Sequence, residues 1–94
     1  MRTMEWKASH ILVKDRALAE RLLKELKSGA RFDAVAREHS TCPSKSKGGD
    51  LGWFKEGQMV KEFEAATAKL GTGSLSGIVK TQFGFHIIKK TGQK

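Results

Sequence analysis

Two apolar stretches at opposite ends of the chain decide the fold, WKASHILV (Trp6–Val13) and FHIIKK (Phe85–Lys90). Both are rich in apolar and β-branched residues, which is typical of strands that enter a core. Neither end alone can bury its apolar face, so the two stretches must pair across the whole chain. Each stretch carries one histidine, and neighbouring strands would bring His10 and His86 within side-chain reach.

The residues between these two ends predict three helices. Leucines recur every four residues in the first helix, which follows an N-cap at Asp15 and ends at Gly29. The second helix begins at Phe32 and ends before Thr41, because a proline follows shortly and disfavours helical backbone before it. The third is an amphipathic stretch over Val60–Leu70.

Two further short strands are predicted at Asp50–Phe54 and Ile78–Thr81, the second joined to the last strand by a tight turn. Met59 and Phe63 stand four residues apart, which places them on one face of the third helix. The order of strands and helices predicts one α+β domain over residues 1–94, with a small sheet wrapped by helices.

The composition limits the class of protein. The 94 residues include 38% apolar and 30% charged side chains, which suffices for one small core. A single cysteine cannot form an intrachain disulfide, so a reducing, cytoplasmic location is expected. No apolar run exceeds three residues, and neither a membrane span nor a signal peptide is therefore predicted.

The net charge of +8 favours anionic partners. Seven lysines are candidates for a basic patch that binds nucleic acid or an anionic membrane: Lys24, Lys27, Lys45, Lys47, Lys89, Lys90 and Lys94. These charges are interleaved with acidic residues, so a solvated surface is the simpler interpretation.

Reactive side chains are few. Cys42 stands alone, and a lone cysteine is more often a small buried side chain than a nucleophile. His39 fits a position near a helix C-terminus. His10 and His86 interrupt apolar strands and need hydrogen-bond partners there, so their pairing is either structural or catalytic. No His or Cys pair has zinc-motif spacing, and no metal site is predicted.

Five motifs in sequence order resemble the parvulin-type peptidyl-prolyl cis/trans isomerases over almost the whole chain. They are ASHILVK (8–14), Phe32–Ser40 followed by Cys42, GGDLG (48–52) with Phe54 and GQM (57–59), Phe63-Glu64, and GFHII (84–88). The resemblance implies a parvulin-like (FKBP-like) fold, a four-stranded antiparallel sheet wrapped by four helices in β-α3-β-α-β2 order. It adds a short third helix near Ser44–Lys47.

The same resemblance implies an isomerase that accelerates rotation about X-Pro bonds without a cofactor. Proline-containing peptides and unfolded protein clients are its implied partners. The implied catalytic residues are His10, Cys42, Thr81 and His86, with Thr81 orienting the histidines and Cys42 beside the substrate carbonyl. The implied proline pocket consists of Leu51, Met59, Phe63 and Phe83.

The chain departs from the phosphate-directed members of that family. Only Lys14-Asp15-Arg16 separate the first strand from the helix, where those members have a longer loop with clustered basic residues. A general preference for an uncharged residue before proline is therefore expected. The alternative is a non-catalytic module that binds proline-containing segments and attaches weakly to anionic surfaces through its lysines. A monomer is expected in either case.

Overall fold

One four-stranded antiparallel sheet carries the domain in the computed structural model, which describes residues 4–94. The strands are β1 (Glu5–Val13), β2 (Asp50–Lys55), β3 (Leu75–Thr81) and β4 (Gly84–Gln93). The α-helices are α1 (Arg16–Lys27), α2 (Phe32–His39) and α3 (Lys61–Lys69), and a short 3₁₀-helix covers Pro43–Lys47. The predicted fold class is confirmed, although the short third helix is a 3₁₀-helix and not an α-helix.

The first and last strands are partners at the centre of the sheet, whose order is β2-β1-β4-β3. His10 lies opposite Ile88, and Leu12 lies opposite His86, so the two histidines are diagonal neighbours on one face. At the open end of this pair Glu5 and Lys94 exchange two backbone hydrogen bonds of 2.9 Å. The predicted pairing across the chain is therefore confirmed.

Helices α1 and α2 cover one half of one sheet face. The Asp15 carboxylate accepts a hydrogen bond of 3.0 Å from the backbone N–H of Ala17, which confirms the predicted N-cap. From α1 the buried side chains of Leu22 and Leu26 join those of β1 and β4 in the larger core. Burial of each leucine contributes about 1.5–3 kcal/mol.

Helix α3 packs on the opposite sheet face over a second core. Its buried members come from three strands and from α3 itself: Trp6, Ala8, Phe54, Phe63 and Ile88. Two aromatic pairs, Trp6 with Phe54 and Phe54 with Phe63, each have ring centroids 5.8 Å apart. This face remains partly open beside α3, and the candidate site lies there. No helix of residues 4–94 has the length and apolarity needed to cross a membrane.

The placement of Met59 on the third helix is wrong. Val60 has extended backbone angles (φ −59°, ψ 147°) and α3 begins only at Lys61, so Met59 belongs to the β2–α3 loop. Two hydrogen bonds hold this loop in a turn. The Gln58 side-chain carbonyl accepts from Lys55 N–H at 2.6 Å, and the Glu64 carboxylate accepts from Gly57 N–H at 2.6 Å.

The inclusion of Lys90 among the surface lysines is also wrong, because its side chain is only 2% exposed. Its ammonium group donates to the carbonyl of Leu70, the residue that follows α3, at 2.8 Å, and also to the side-chain carbonyl of Gln93. The positive charge is stabilised there by the negative end of the helix dipole. Lys90 therefore anchors α3 to β4.

Gly49 should be the least replaceable glycine that packs against β1. It has φ +89°, and an added Cβ would lie 2.4 Å from the carbonyl oxygen of His10. We expect Gly49→Ala to lower the free energy of unfolding by ~2 kcal/mol or more, because positive φ and a backbone clash act together. Urea unfolding measures this, with Gly77→Ala as the control, since no atom beyond its own chain neighbours lies within 4 Å of an added Cβ there. Equal unfolding midpoints for the two variants would contradict the expectation.

Candidate active site

An apolar cleft of about 480 Å³ opens on the α3 side of the sheet. Its walls come from β1, β2, β4, the Thr41–Pro43 segment and the entry to α3. The lining residues are His10, Leu12, Thr41, Cys42, Pro43, Leu51, Gln58, Met59, Val60, Phe63, Phe83 and His86. Seven of the eight predicted site residues are in this set, and the eighth, Thr81, contacts one of its histidines.

The two histidines form a hydrogen-bonded pair. Their Nδ1 atoms lie 3.0 Å apart, and the rings stack with an interplanar angle of 26°. Phe63 packs edge-on against both imidazole rings, and the centroid of each imidazole lies 5.5 Å from the centroid of the Phe63 ring. Because His10 is 5% and His86 3% exposed, the pair is almost fully withdrawn from water.

Hydrogen bonds connect Thr81 to the histidine pair and to the turn after it. The Thr81 hydroxyl oxygen accepts from Phe83 N–H at 3.1 Å and lies 2.7 Å from His86 Nε2. We assign the hydroxyl as the donor to that ring nitrogen, which is its one acceptor among residues 4–94. With this assignment His86 donates from Nδ1 to His10 Nδ1, and neutral His10 carries its proton on Nε2. That N–H has no hydrogen-bond partner in the described chain.

Both histidines are held in the neutral form. Burial, with a smaller contribution from the neighbouring His86, lowers the pKa of His10 from 6.5 to about 4. Burial also lowers the pKa of His86. A charged imidazolium is therefore absent from the cleft near neutral pH.

Cys42 is placed beside the cleft by the segment that leaves α2. Ser40 accepts a hydrogen bond from Leu12 N–H at 3.0 Å, and Thr41 N–H donates to the carbonyl of Leu12 at 2.8 Å. These bonds tie the segment to the end of β1. Cys42 is a free, half-buried thiol, and Pro43 starts the 3₁₀-helix directly after it.

A β-bulge places Leu51 in the cleft wall. Ala8 pairs with Gly52 and Ser9 pairs with Asp50, so Leu51 is the extra residue of β2. The Asp50 carboxylate accepts from Gly52 N–H at 2.9 Å, and Gly52 adopts φ +73°. A regular strand would alternate its side chains, so the bulge gives Leu51 an orientation that periodicity does not predict.

Phe83 stands at the cleft mouth, in the turn between β3 and β4, and is 53% exposed. An aromatic side chain exposed to this degree is available to cover a ligand. Its backbone N–H donates to the Thr81 hydroxyl, so the same threonine supports both the mouth of the cleft and the histidine pair.

Five lining residues were missing from the predicted site: Leu12, Thr41, Pro43, Gln58 and Val60. Leu12 was accessible to sequence reasoning, since it follows His10 by two residues on one strand and must share its face. The others come from loops, for which no periodic signal exists. No group of three or more His, Cys, Asp or Glu that could hold a metal ion occurs in the described part of the chain.

Comparison with known proteins identifies the family. Residues 8–92 match the model of the rotamase family described as the PPIC-type PPIase domain. The chain belongs to the PPIC-type peptidyl-prolyl isomerase (PPIase) family. This membership confirms the resemblance found in the motifs and agrees with the arrangement of the cleft.

Relatives of this PPIase domain include much longer proteins. It is 57% identical over 89 residues to the foldase protein PrsA of Bacillus subtilis, covering 94% of this chain and 30% of that protein. The crystal structure of the peptidylprolyl isomerase PrsA from Bacillus anthracis superimposes with a TM-score of 0.96 at 48% identity, covering 98% of this chain and 43% of that one. The chain thus spans about a third of the curated relatives that it matches.

A short relative is similar over its whole length. The solution structure of NmPin, the parvulin of Nitrosopumilus maritimus, superimposes with a TM-score of 0.84 at 43% identity. The match covers 98% of this chain and 100% of that one. The same fold therefore occurs in a solved parvulin chain that this chain covers from end to end.

The low pKa of His10 predicts acid lability in a defined pH range. The unfolded chain binds this proton more tightly than the folded one, so protonation favours unfolding. We expect the free energy of unfolding to be level above about pH 6.5 and to fall by ~3 kcal/mol towards pH 4 from His10. Urea unfolding at pH steps between 7 and 4 measures this fall.

The variant His39→Gln, at a half-buried position outside the histidine pair, is the control and should retain the pH dependence. Replacement of His10 by Asn should reduce it, since the perturbed imidazole is removed. A wild-type profile that is flat between pH 6.5 and 4 would contradict the neutral assignment of the pair.

Proposed function

We propose that this domain catalyses cis/trans rotation about X-Pro bonds in flexible or unfolded protein segments. The observation that carries the proposal is an apolar cleft lined by a neutral, buried histidine pair, with Phe63 packed against both rings. Since long relatives carry the name foldase, we propose that its clients are polypeptides in the course of folding.

The reaction needs a surface that favours the twisted amide. Resonance gives the peptide C–N bond partial double-bond character and a rotation barrier of about 18–20 kcal/mol. Resonance is lost in the twisted state, so the carbonyl becomes less polar and the nitrogen more basic. A site that binds this state more tightly than either planar isomer lowers the barrier while no bond is broken. The chemistry therefore requires neither a cofactor nor a nucleophile.

The cleft suits this requirement in two ways. Its apolar residues offer surface to the proline ring, which has no N–H to satisfy: Leu51, Met59, Phe63 and Phe83. A polar planar amide loses more hydration on entering apolar surroundings than a twisted, less polar one. The cleft thus holds the ring and favours rotation of the preceding carbonyl.

We assign the histidine pair a role in keeping this environment neutral and rigid. Two uncharged imidazoles fill the space beside Phe63 without introducing a charge that would stabilise the planar, polar amide. The Thr81 hydroxyl fixes the tautomer and orientation of His86, and through it those of His10. Cys42, at the cleft wall, is proposed to act on the substrate carbonyl electrostatically.

The lining also bounds the substrate class. Within residues 4–94 no Lys, Arg, Asp or Glu lines the cleft. β1 ends at Val13 and α1 begins at Arg16, so no long basic loop overhangs it. We therefore propose a general preference for uncharged residues before proline, without dependence on phosphate. Family membership favours this isomerase over the non-catalytic binding module.

Isomerase activity is tested with an Ala-Leu-Pro-Phe peptide by two-dimensional NMR exchange. Exchange peaks should appear only with the protein, and a Glu before proline should weaken them. Phe83→Ala should lower kcat/KM roughly tenfold, or ~1.4 kcal/mol, because the ring covers the proline. Trp53→Ala is the matched control, since Trp53 is similarly exposed (44%) but lies outside the cleft. Peptide-induced shifts without exchange would instead indicate the binding module.

The role of Cys42 is tested by Cys42→Asp. An electrostatic role predicts that this variant retains at least about a tenth of wild-type kcat/KM, because a carboxylate can polarise the carbonyl but does not form the covalent bond that a thiol nucleophile would form. Kinetics are read beside an NMR spectrum that verifies the fold. Complete loss of activity in a folded Cys42→Asp variant would favour covalent attack by the thiol.

A further inference from the structure

A second cavity, of about 650 Å³, lies on the sheet face opposite the cleft. Its floor includes Lys7 and Ser9 of β1, and Lys89 of β4, whereas His10 and Leu12 of β1 line the cleft. Because successive residues of a strand point to opposite faces, the two cavities lie back to back across the sheet. We call the second cavity the basic groove.

The basic groove exists because α1 and α2 cover only part of their sheet face. Its wall is the turn between these helices together with Leu26 of α1 and Phe32 of α2, which flank the turn. Leu75 of β3 and the segment around Lys47 close its two ends. The uncovered floor therefore presents side chains of the two central strands to a ligand.

The charges of the basic groove are unbalanced. Lys7, Lys47 and Lys89 line it, and none of the three has a carboxylate within salt-bridge distance in the described chain. The groove also contains Arg31, but this residue pairs with Asp33 at 3.0 Å. Apart from this ion pair, the groove contains three lysines and one carboxylate, that of Asp50. The Asp50 carboxylate accepts a hydrogen bond from the backbone N–H of Gly52.

Lys7 and Lys89 differ from the exposed lysines because both are half-buried on the sheet face. They lie on neighbouring strands: Lys89 is opposite Ser9, two residues along from Lys7. Partial burial strengthens the attraction of an ammonium group for an anion, since the surrounding dielectric is lower than that of water. Lys7 and Lys89 are therefore expected to contribute most to the affinity for an anionic ligand.

We infer that the basic groove binds an extended, acidic polypeptide segment of a client, separately from the proline cleft. The half-buried apolar side chains of Phe32 and Leu75 suit a peptide in which acidic and apolar residues are mixed. A nucleic acid backbone would bring uniform negative charge without apolar side chains for this part of the lining. Because the two cavities do not overlap, a client long enough to pass around the sheet can engage both at once, which raises its effective concentration at the cleft.

The test uses the full chain and a labelled, proline-free, ten-residue peptide in which Glu and Asp alternate with Leu, Val and Ser. Fluorescence anisotropy at low salt gives the Kd, and NMR maps the contact. We expect shifts at Lys7, Ser9 and Lys89, and none at Met59. The double variant Lys7→Gln/Lys89→Gln should weaken binding at least tenfold. The control Lys24→Gln/Lys69→Gln changes exposed lysines on α1 and α3 and should weaken it less than twofold.

A saturating amount of the acidic peptide should leave kcat/KM for the Ala-Leu-Pro-Phe peptide unchanged. The groove and the cleft are thus tested separately. If the domain had no isomerase activity, the Kd of the acidic peptide would still test the groove. Equal weakening by both double variants, shifts confined to the cleft, or tighter binding of duplex DNA or anionic vesicles than of the peptide would overturn the inference.

Discussion

The pairing of β1 with β4 is the contact on which the rest of the structure depends. It joins residues separated by most of the chain, and it alone brings His10 and His86 to diagonal positions 3.0 Å apart at their Nδ1 atoms. Both cores are built on the two faces of this pair. Fold and site therefore arise together: a slip of one residue in the register would turn one histidine to the other face of the sheet.

Much of this arrangement could be predicted from the sequence, because it follows from periodicity and caps. The two apolar ends, the Asp15 cap and the limits of α2 rest on local patterns, and the site motifs rest on the family resemblance. What failed depends on tertiary contacts. Met59 lies outside α3, because the side chains of Gln58 and Glu64 hold the loop before α3 in a turn. Lys90 can be buried because its ammonium group donates to the Leu70 carbonyl at the C-terminal end of α3.

The orientation of Leu51 shows the same limit, since a bulge is a property of two strands and not of one. The cytoplasmic location and the monomeric state stay predictions, as does the chemical role of each site residue. The sheet also separates two kinds of surface. One face holds a cleft from which formal charge is excluded, and the other leaves lysines without partners. A polypeptide with both apolar and acidic segments would thus find a suitable surface for each on the same domain.

The paired ends of β1 and β4 have a mechanical consequence. Glu5 and Lys94 lie side by side, so tension applied through the two ends loads the hydrogen bonds of the central pair one after another, not in parallel. Under such a pull the strands separate like a zipper from this end. The separation reaches His10 only after the pairs from Trp6 to Ser9 have opened, so the histidine pair outlasts the first part of any extension.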